Sequence, residues 1–124
     1  MTTREMLDIE TLGIEPGAAI LSIGACTFDT DGLGERIHRS VGLQSCEAAG
    51  LTIDAETLQW WLDQERRARL TDLLTRGMPL EGALEQLARF CDDADELWAN
   101  SPKFDMAHLE AAYAAVGLEP PWQY

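Results

Sequence analysis

Apolar and polar residues alternate from Glu5 to Thr11, with Met6, Asp8 and Glu10 on one face and Leu7, Ile9 and Thr11 on the other, which is the period-two signature of a strand. Gly13, Pro16 and Gly17 break the chain before the stretch from Ala18 to Phe28. Its β-branched and apolar residues read as a second strand, covered on both faces. Asp29 to Gly34 carries turn residues, and Arg36 to Leu43 alternates again, as expected of a third strand nearer the sheet edge. Three strands joined by short turns predict an antiparallel meander.

The period then changes. Asp54 is placed to cap a helix whose apolar stripe begins with Leu58, Trp61 and Leu62, and one long helix is predicted to about Leu74. Gly77 ends it. Pro79 suits the first turn of the next helix, where Leu80, Leu84, Leu87 and Cys91 recur at helical spacing. Glu96 to Asn100 reads as a short strand and Asp105 to Val116 as a last helix, stopped by Gly117. A strand that returns to a sheet through helices lies parallel to its neighbour, so the fourth strand is predicted parallel and the fold class is mixed α/β. The predicted core contains Leu7, Ile9, Ile20, Ile23, Leu58, Trp61, Leu84, Leu109 and Tyr113.

A chain of 124 residues, 46% apolar and 25% charged, suits one compact core, and neither a low-complexity tract nor a repeat interrupts it. The longest apolar-rich stretch, around Pro16 to Phe28, contains Ser22, Gly24 and Thr27 and is too short to cross a bilayer, so no membrane partner is expected. No basic-then-apolar leader is visible at the N-terminus. Cys26, Cys46 and Cys91 are odd in number and far apart, which fits a reducing cytoplasm better than a disulfide framework or a zinc site. The net charge of −13, from 9 basic and 22 acidic residues, argues against a broad phosphate-binding surface unless some acids hold divalent cations that present positive charge instead.

Asp8 and Glu10 are one residue apart on a strand, so both carboxylates leave the same face with Cα atoms ~6.6 Å apart, and two hard oxygen ligands can converge on one cation. On a central strand, two unpaired carboxylates would be costly, and a bound Mg²⁺ or Mn²⁺ would relieve them. A solvated strand face is the simpler reading of this short motif alone. Asp105, after the short strand, is by itself most simply a helix cap. The mouth of a parallel strand beside the first would nonetheless bring it next to Asp8 and Glu10.

Asp8-Ile9-Glu10-Thr11-Leu12, the Trp60-Trp61-Leu62-Asp63-Gln64 stretch, and Trp98-Ala99-Asn100 followed by Phe104-Asp105 resemble, in that order, the DEDD 3′-5′ exonucleases of the ribonuclease T and DnaQ type. The phage and mycobacterial exoribonuclease subgroup is the nearest in likeness, and the resemblance runs through Ala112-Tyr113 to Pro121-Trp122. It implies a ribonuclease H-like fold in which Asp8, Glu10 and Asp105 are catalytic and hold two divalent ions, Mg²⁺ or Mn²⁺, for hydrolysis of phosphodiester bonds at single-stranded 3′ ends of RNA or DNA. It also places Leu12 and Gly13 against the terminal nucleotide and Asn100 near the site, and it leaves a homodimer open. The family's third motif, a His acting as general base and an Asp ligand on a final helix, has no counterpart.

His38 and His108 read instead as surface or boundary residues. Trp122 and Tyr124 are expected to need a following element. The 1–124 domain is therefore expected to be incomplete at its C-terminus and nearly inactive alone. Two readings compete with the nuclease: a catalytically incompetent fragment or binding module of the same fold, and a phosphatase with Asp8 as nucleophile, against which Glu10 and the lack of a downstream Lys count. Trp61 reads as core and Trp60 is undecided. Arg66, Arg67 and Arg69 form the one dense basic cluster, most simply a solvated helix face.

Overall fold

The computed structural model describes residues 2–122. Three strands open the fold: β1 (Arg4–Thr11), β2 (Ile20–Asp29) and β3 (Gly32–Ser40). Four helices follow, α1 (Leu43–Ala48), α2 (Ala55–Trp61), α3 (Arg67–Thr75) and α4 (Leu80–Cys91), then β4 (Glu96–Ala99) and α5 (Pro102–Ala115). The sheet order is β3-β2-β1-β4, with β1 antiparallel to β2 and parallel to β4. Both the antiparallel meander and the parallel return are as the sequence pattern predicts.

Alternation along β1 divides the sheet into two unlike faces. Glu5, Leu7, Ile9 and Thr11 are buried while Met6 and Asp8 are exposed, so β1 turns its odd-numbered side to the core and its even-numbered side outward. Helix α4 packs on β2 and β3, and α5 on β1 and β4. Every predicted core residue is buried except Leu58, which is partly exposed.

Two predictions about elements fail for local reasons. The single helix from Asp54 to Leu74 is two helices, because the Asp63 side chain accepts the Glu65 amide at 3.1 Å and its carbonyl accepts the amides of Arg66 and Arg67, making a turn that restarts the helix. The third strand stops at Ser40. Gly42 donates to the Met78 carbonyl at 2.7 Å, which draws the chain across to the segment before α4, and α1 begins at Leu43. Gly77 lies in that crossing, where a Cβ would meet the Gly42 backbone at 2.5 Å, so its glycine is needed for close approach as well as for ending a helix. Trp122 packs edge-to-face on Tyr113, with centroids 5.9 Å apart, and so finds a partner inside the domain; Tyr124 lies outside the described residues.

Candidate metal and nucleic-acid site

The parallel pairing of β1 with β4 runs from Arg4 with Glu96 to Leu7 with Ala99 and then stops. Asp8 and Glu10 therefore lie just past the paired segment, at the end where β4 turns through Asn100 and Ser101 into α5. A crevice at the carboxyl ends of parallel strands is where α/β folds place ligands. Asp105 stands in the first turn of α5 and does not hold the cap position, which is Ser101. Asp54 does serve as a cap, its Oδ2 accepting the Thr57 amide at 3.1 Å and the Thr57 hydroxyl at 2.8 Å.

Asp105 is 5% exposed. Burial first, and then the charge of Asp8, push its carboxyl above the ordinary aspartate value, with Glu10 adding a smaller push. The Ser101 amide and His108 oppose this only in part. The three acids thus share one electrostatic site although they come from opposite ends of the chain. Asp8 is exposed and Glu10 partly so, which differs from the expectation of buried carboxylates: the outward face of β1 carries them.

Among the described residues no three His, Cys, Asp or Glu side chains lie close enough to cage an ion as they stand. Glu10 is instead turned to Arg69 of α3, whose Nη2 lies 3.3 Å from Oε1. The donor set nevertheless fits a hard divalent cation. It offers carboxylate oxygens from three residues, one of them buried where its anion is disfavoured.

The three residues expected near substrate have unequal positions. Leu12 is buried in the core, its amide donating to the Ala19 carbonyl at 2.9 Å and its carbonyl accepting from the Asp54 amide at 2.8 Å. Gly13 fits closely against Ala18, where a Cβ would meet the alanine Cβ at 2.6 Å. Its carbonyl accepts from Thr11 Oγ1 at 2.7 Å and from His108 Nε2 at 3.1 Å. Asn100 is exposed in the turn between β4 and α5.

A hollow of about 510 Å³ adjoins Glu10, lined among others by Thr11, Gly13, Ile14, Trp60 and Phe104. Trp61 turns inward, as expected, and its Nε1 donates to the Thr11 carbonyl at 2.9 Å. Trp60, one residue earlier on α2, is half exposed at the rim, with the Arg66 guanidinium 3.9 Å from its ring centroid. Adjacent helical residues point about 100° apart, so a buried Trp61 places Trp60 at the flank.

The two histidines differ in exposure. His108 is buried, correcting the boundary reading; its Nδ1 lies 2.9 Å from the Phe104 carbonyl and its ring stacks on Phe104 with centroids 4.0 Å apart. His38 is exposed on β3, in register with Gly24, which is in turn opposite Asp8, and its Cδ2 lies 3.8 Å from where a Gly24 Cβ would be, so its ring lies over β2 on the face that carries Asp8.

The sequence matches, over residues 3–124, the family described as the 3′-5′ exoribonuclease Rv2179c-like domain. A search of curated proteins finds no significant match. Among solved structures, the zinc-bound form of the E. coli Exonuclease I complex with single-stranded DNA is similar at a TM-score of 0.74 and 12% identity, covering 98% of this chain and 25% of that one. Exonuclease I from Methylocaldum szegediense is similar at a TM-score of 0.67 and 13% identity, covering 91% of this chain and 23% of that one. The chain spans about a quarter of the length of these proteins. At such identity the likeness is one of fold, and it agrees with the ribonuclease H-like arrangement of a mixed four-stranded sheet with flanking helices.

Proposed function

We propose that this chain, which belongs to the Rv2179c-like 3′-5′ exoribonuclease domain family, carries the metal-binding part of a nuclease that removes nucleotides from single-stranded 3′ ends of RNA or DNA. The observation that carries this reading is that Asp8 and Glu10 lie just past the pairing of β1 with β4 while Asp105 stands in the first turn of the helix that follows β4, where burial and the charge of Asp8 raise its carboxyl. These three residues would hold Mg²⁺ or Mn²⁺. Ions bound there would supply activation of a water and neutralisation of charge on the leaving oxygen.

The chain's own residues set the position of the reacting end. Trp60, whose ring also carries the Arg66 guanidinium, and Phe104, stacked on His108, give the hollow two aromatic walls beside Glu10 against which a nucleobase can pack, and Gly13 lines it too. Asn100 supplies amide hydrogen-bonding groups at the end of β4. RNA is the polymer the family description favours, and single-stranded DNA is the polymer in the Exonuclease I complex.

One observation favours a second reading, a nucleic-acid-binding module without turnover of its own. His108 is buried with both ring nitrogens at carbonyl oxygens and offers no free nitrogen to a reacting water, and His38 stands on β3 with Gly24 of β2 between it and Asp8. A general base contributes ~10²–10⁴-fold, so in this reading the 124 residues bind but cleave slowly. The deciding assay follows mononucleotide release from 3′-labelled single-stranded RNA and DNA in Mn²⁺, comparing the 124-residue chain, a chain extended by whatever coding sequence follows Tyr124, and each with Asp8→Ala. The nuclease reading expects release that Asp8→Ala abolishes. Release that survives Asp8→Ala, or none from any form, would overturn it.

A further inference from the structure

Three arginines lie within four residues at the start of α3, and the structure gives each a different fate. Arg66 is committed: its guanidinium covers the Trp60 ring, its Nε donates to the Trp60 carbonyl at 2.8 Å, and its Nη2 is 3.5 Å from Asp63. Arg67 is exposed. Arg69 reaches 59 residues back along the sequence to Glu10, while its side chain is still 56% exposed. Among the described residues this is the one ion pair made by any of the three acids.

The pair has a consequence for substrate binding, which rests on the nuclease reading above. An exposed ion pair at 3.3 Å is weak and exchanges its partners readily. Glu10 cannot serve a divalent cation and Arg69 equally, so an ion that draws Glu10 leaves the guanidinium free beside a residue that lines the hollow. The hollow is otherwise acidic, with Asp54 and Glu56 also on its wall, in a chain of net charge −13. A phosphodiester entering it needs a cation that the protein itself provides, and a planar guanidinium can take two phosphate oxygens at once.

We propose that Arg69 is an exchanging residue: it neutralises Glu10 while the site holds no ion, and it binds the phosphate of the terminal nucleotides once a divalent cation takes Glu10. Arg69 is thus a substrate-binding residue whose availability depends on metal. Removing it costs phosphate affinity but costs no metal affinity, because it competes for Glu10 rather than supporting it.

The test uses the 124-residue chain and a 5′-fluorescein single-stranded RNA with a free 3′ hydroxyl, in Ca²⁺ so that binding is read by anisotropy rather than by turnover. Arg69→Gln is expected to weaken binding about tenfold or more, as for loss of a charge-assisted hydrogen bond, and to lower the salt slope of log K by ~0.7, the share of one phosphate contact on a single strand. Arg69→Lys should keep the slope and lose part of the affinity, and Arg67→Gln should change neither. Calorimetry with Mn²⁺ should find Arg69→Gln binding the ion at least as tightly as the parent. Equal RNA affinity and slope in Arg69→Gln would overturn the proposal, as would weakened Mn²⁺ binding, which would make Arg69 a support for Glu10. Absence of binding by the parent to this RNA and to single-stranded DNA of the same sequence would overturn the nuclease reading and this inference with it.

Discussion

His108 Nε2 lies within hydrogen-bond distance of the Gly13 carbonyl, at 3.1 Å, joining residues 95 apart in sequence. The contact ties α5, which carries Asp105, to the turn that follows β1, which carries Asp8 and Glu10. It therefore fixes the spacing of the acids as well as burying a polar ring. His108→Phe keeps the ring and removes the donor. It should destabilise the fold by about 1–3 kcal/mol, the cost of an unmade buried hydrogen bond. It should also weaken Mn²⁺ binding, which stability loss alone would not do in protein that is still folded. Calorimetry on the folded variant checks this, and unchanged Mn²⁺ affinity would rule out the bracing role.

Glu5 lies on the core side of β1, buried, with Oε1 lacking a hydrogen-bond partner and the Cys91 thiol beside it. Burial raises its carboxyl above 4.5, opposed by the Cys91 contact and reinforced by Asp93. A raised folded-state value means that the folded protein holds the proton more tightly than the unfolded chain. Stability from this group is therefore fully present below about pH 4.5 and is lost as pH rises through the folded value. Glu5→Gln should match the parent in the acid range and exceed it at pH 7, by on the order of 1 kcal/mol or roughly 3–6 °C in Tm. Parallel pH–Tm curves for the two proteins would show that Glu5 carries no such penalty.

Much of this was legible from the alternation of Leu7 and Ile9 against Asp8 and Glu10. Period two fixes which face of a strand is buried, and the parallel return of β4 follows from the intervening helices. The nearness of Asp105 to Asp8 was legible only jointly, because a lone Asp before a helix is most simply a cap and nothing local shows that Ser101 takes that position instead. The break at Asp63 was not legible, since the apolar stripe continues through Leu70 and Leu73 and only side-chain capping of the turn divides it. Arg69 was hidden for the same kind of reason. Its partner lies 59 residues away, and the bond depends on how α3 is set against the end of β1.

The cysteines offer a simple check on burial. Cys46 and Cys91 are buried, and burial pushes the Cys46 thiol up and the Cys91 thiol to about 12, the latter also through the charge of Glu5. Cys26 is partly exposed on the outward face of the sheet. Iodoacetamide at pH 8 should therefore label Cys26 alone in folded protein, and all three after unfolding, because the thiolate is the reactive species. Mass spectrometry reads the sites, and prompt native labelling of Cys91 would contradict its burial between β1 and α4.

The acid cluster predicts opposite effects on stability and on metal affinity. Asp105 has its proton affinity raised by burial and by Asp8, so its anion is a cost to the ion-free fold at neutral pH. Asp105→Asn removes that cost and should raise the Tm of ion-free protein by a few degrees, a gain that disappears toward pH 4 as the parent's Asp105 takes up its proton. The same substitution removes an oxygen ligand. Calorimetry with Mn²⁺ should show weak binding by the parent, since the carboxylates are not preassembled, and at least tenfold weaker binding by Asp8→Asn and Asp105→Asn. Thermal unfolding then separates the two effects, because an ion that binds only the folded state raises Tm. Parent protein should gain Tm on addition of Mn²⁺, whereas Asp105→Asn should start higher and respond little. Identical Mn²⁺ titrations for the parent and both variants would show that Asp8 and Asp105 do not share an ion.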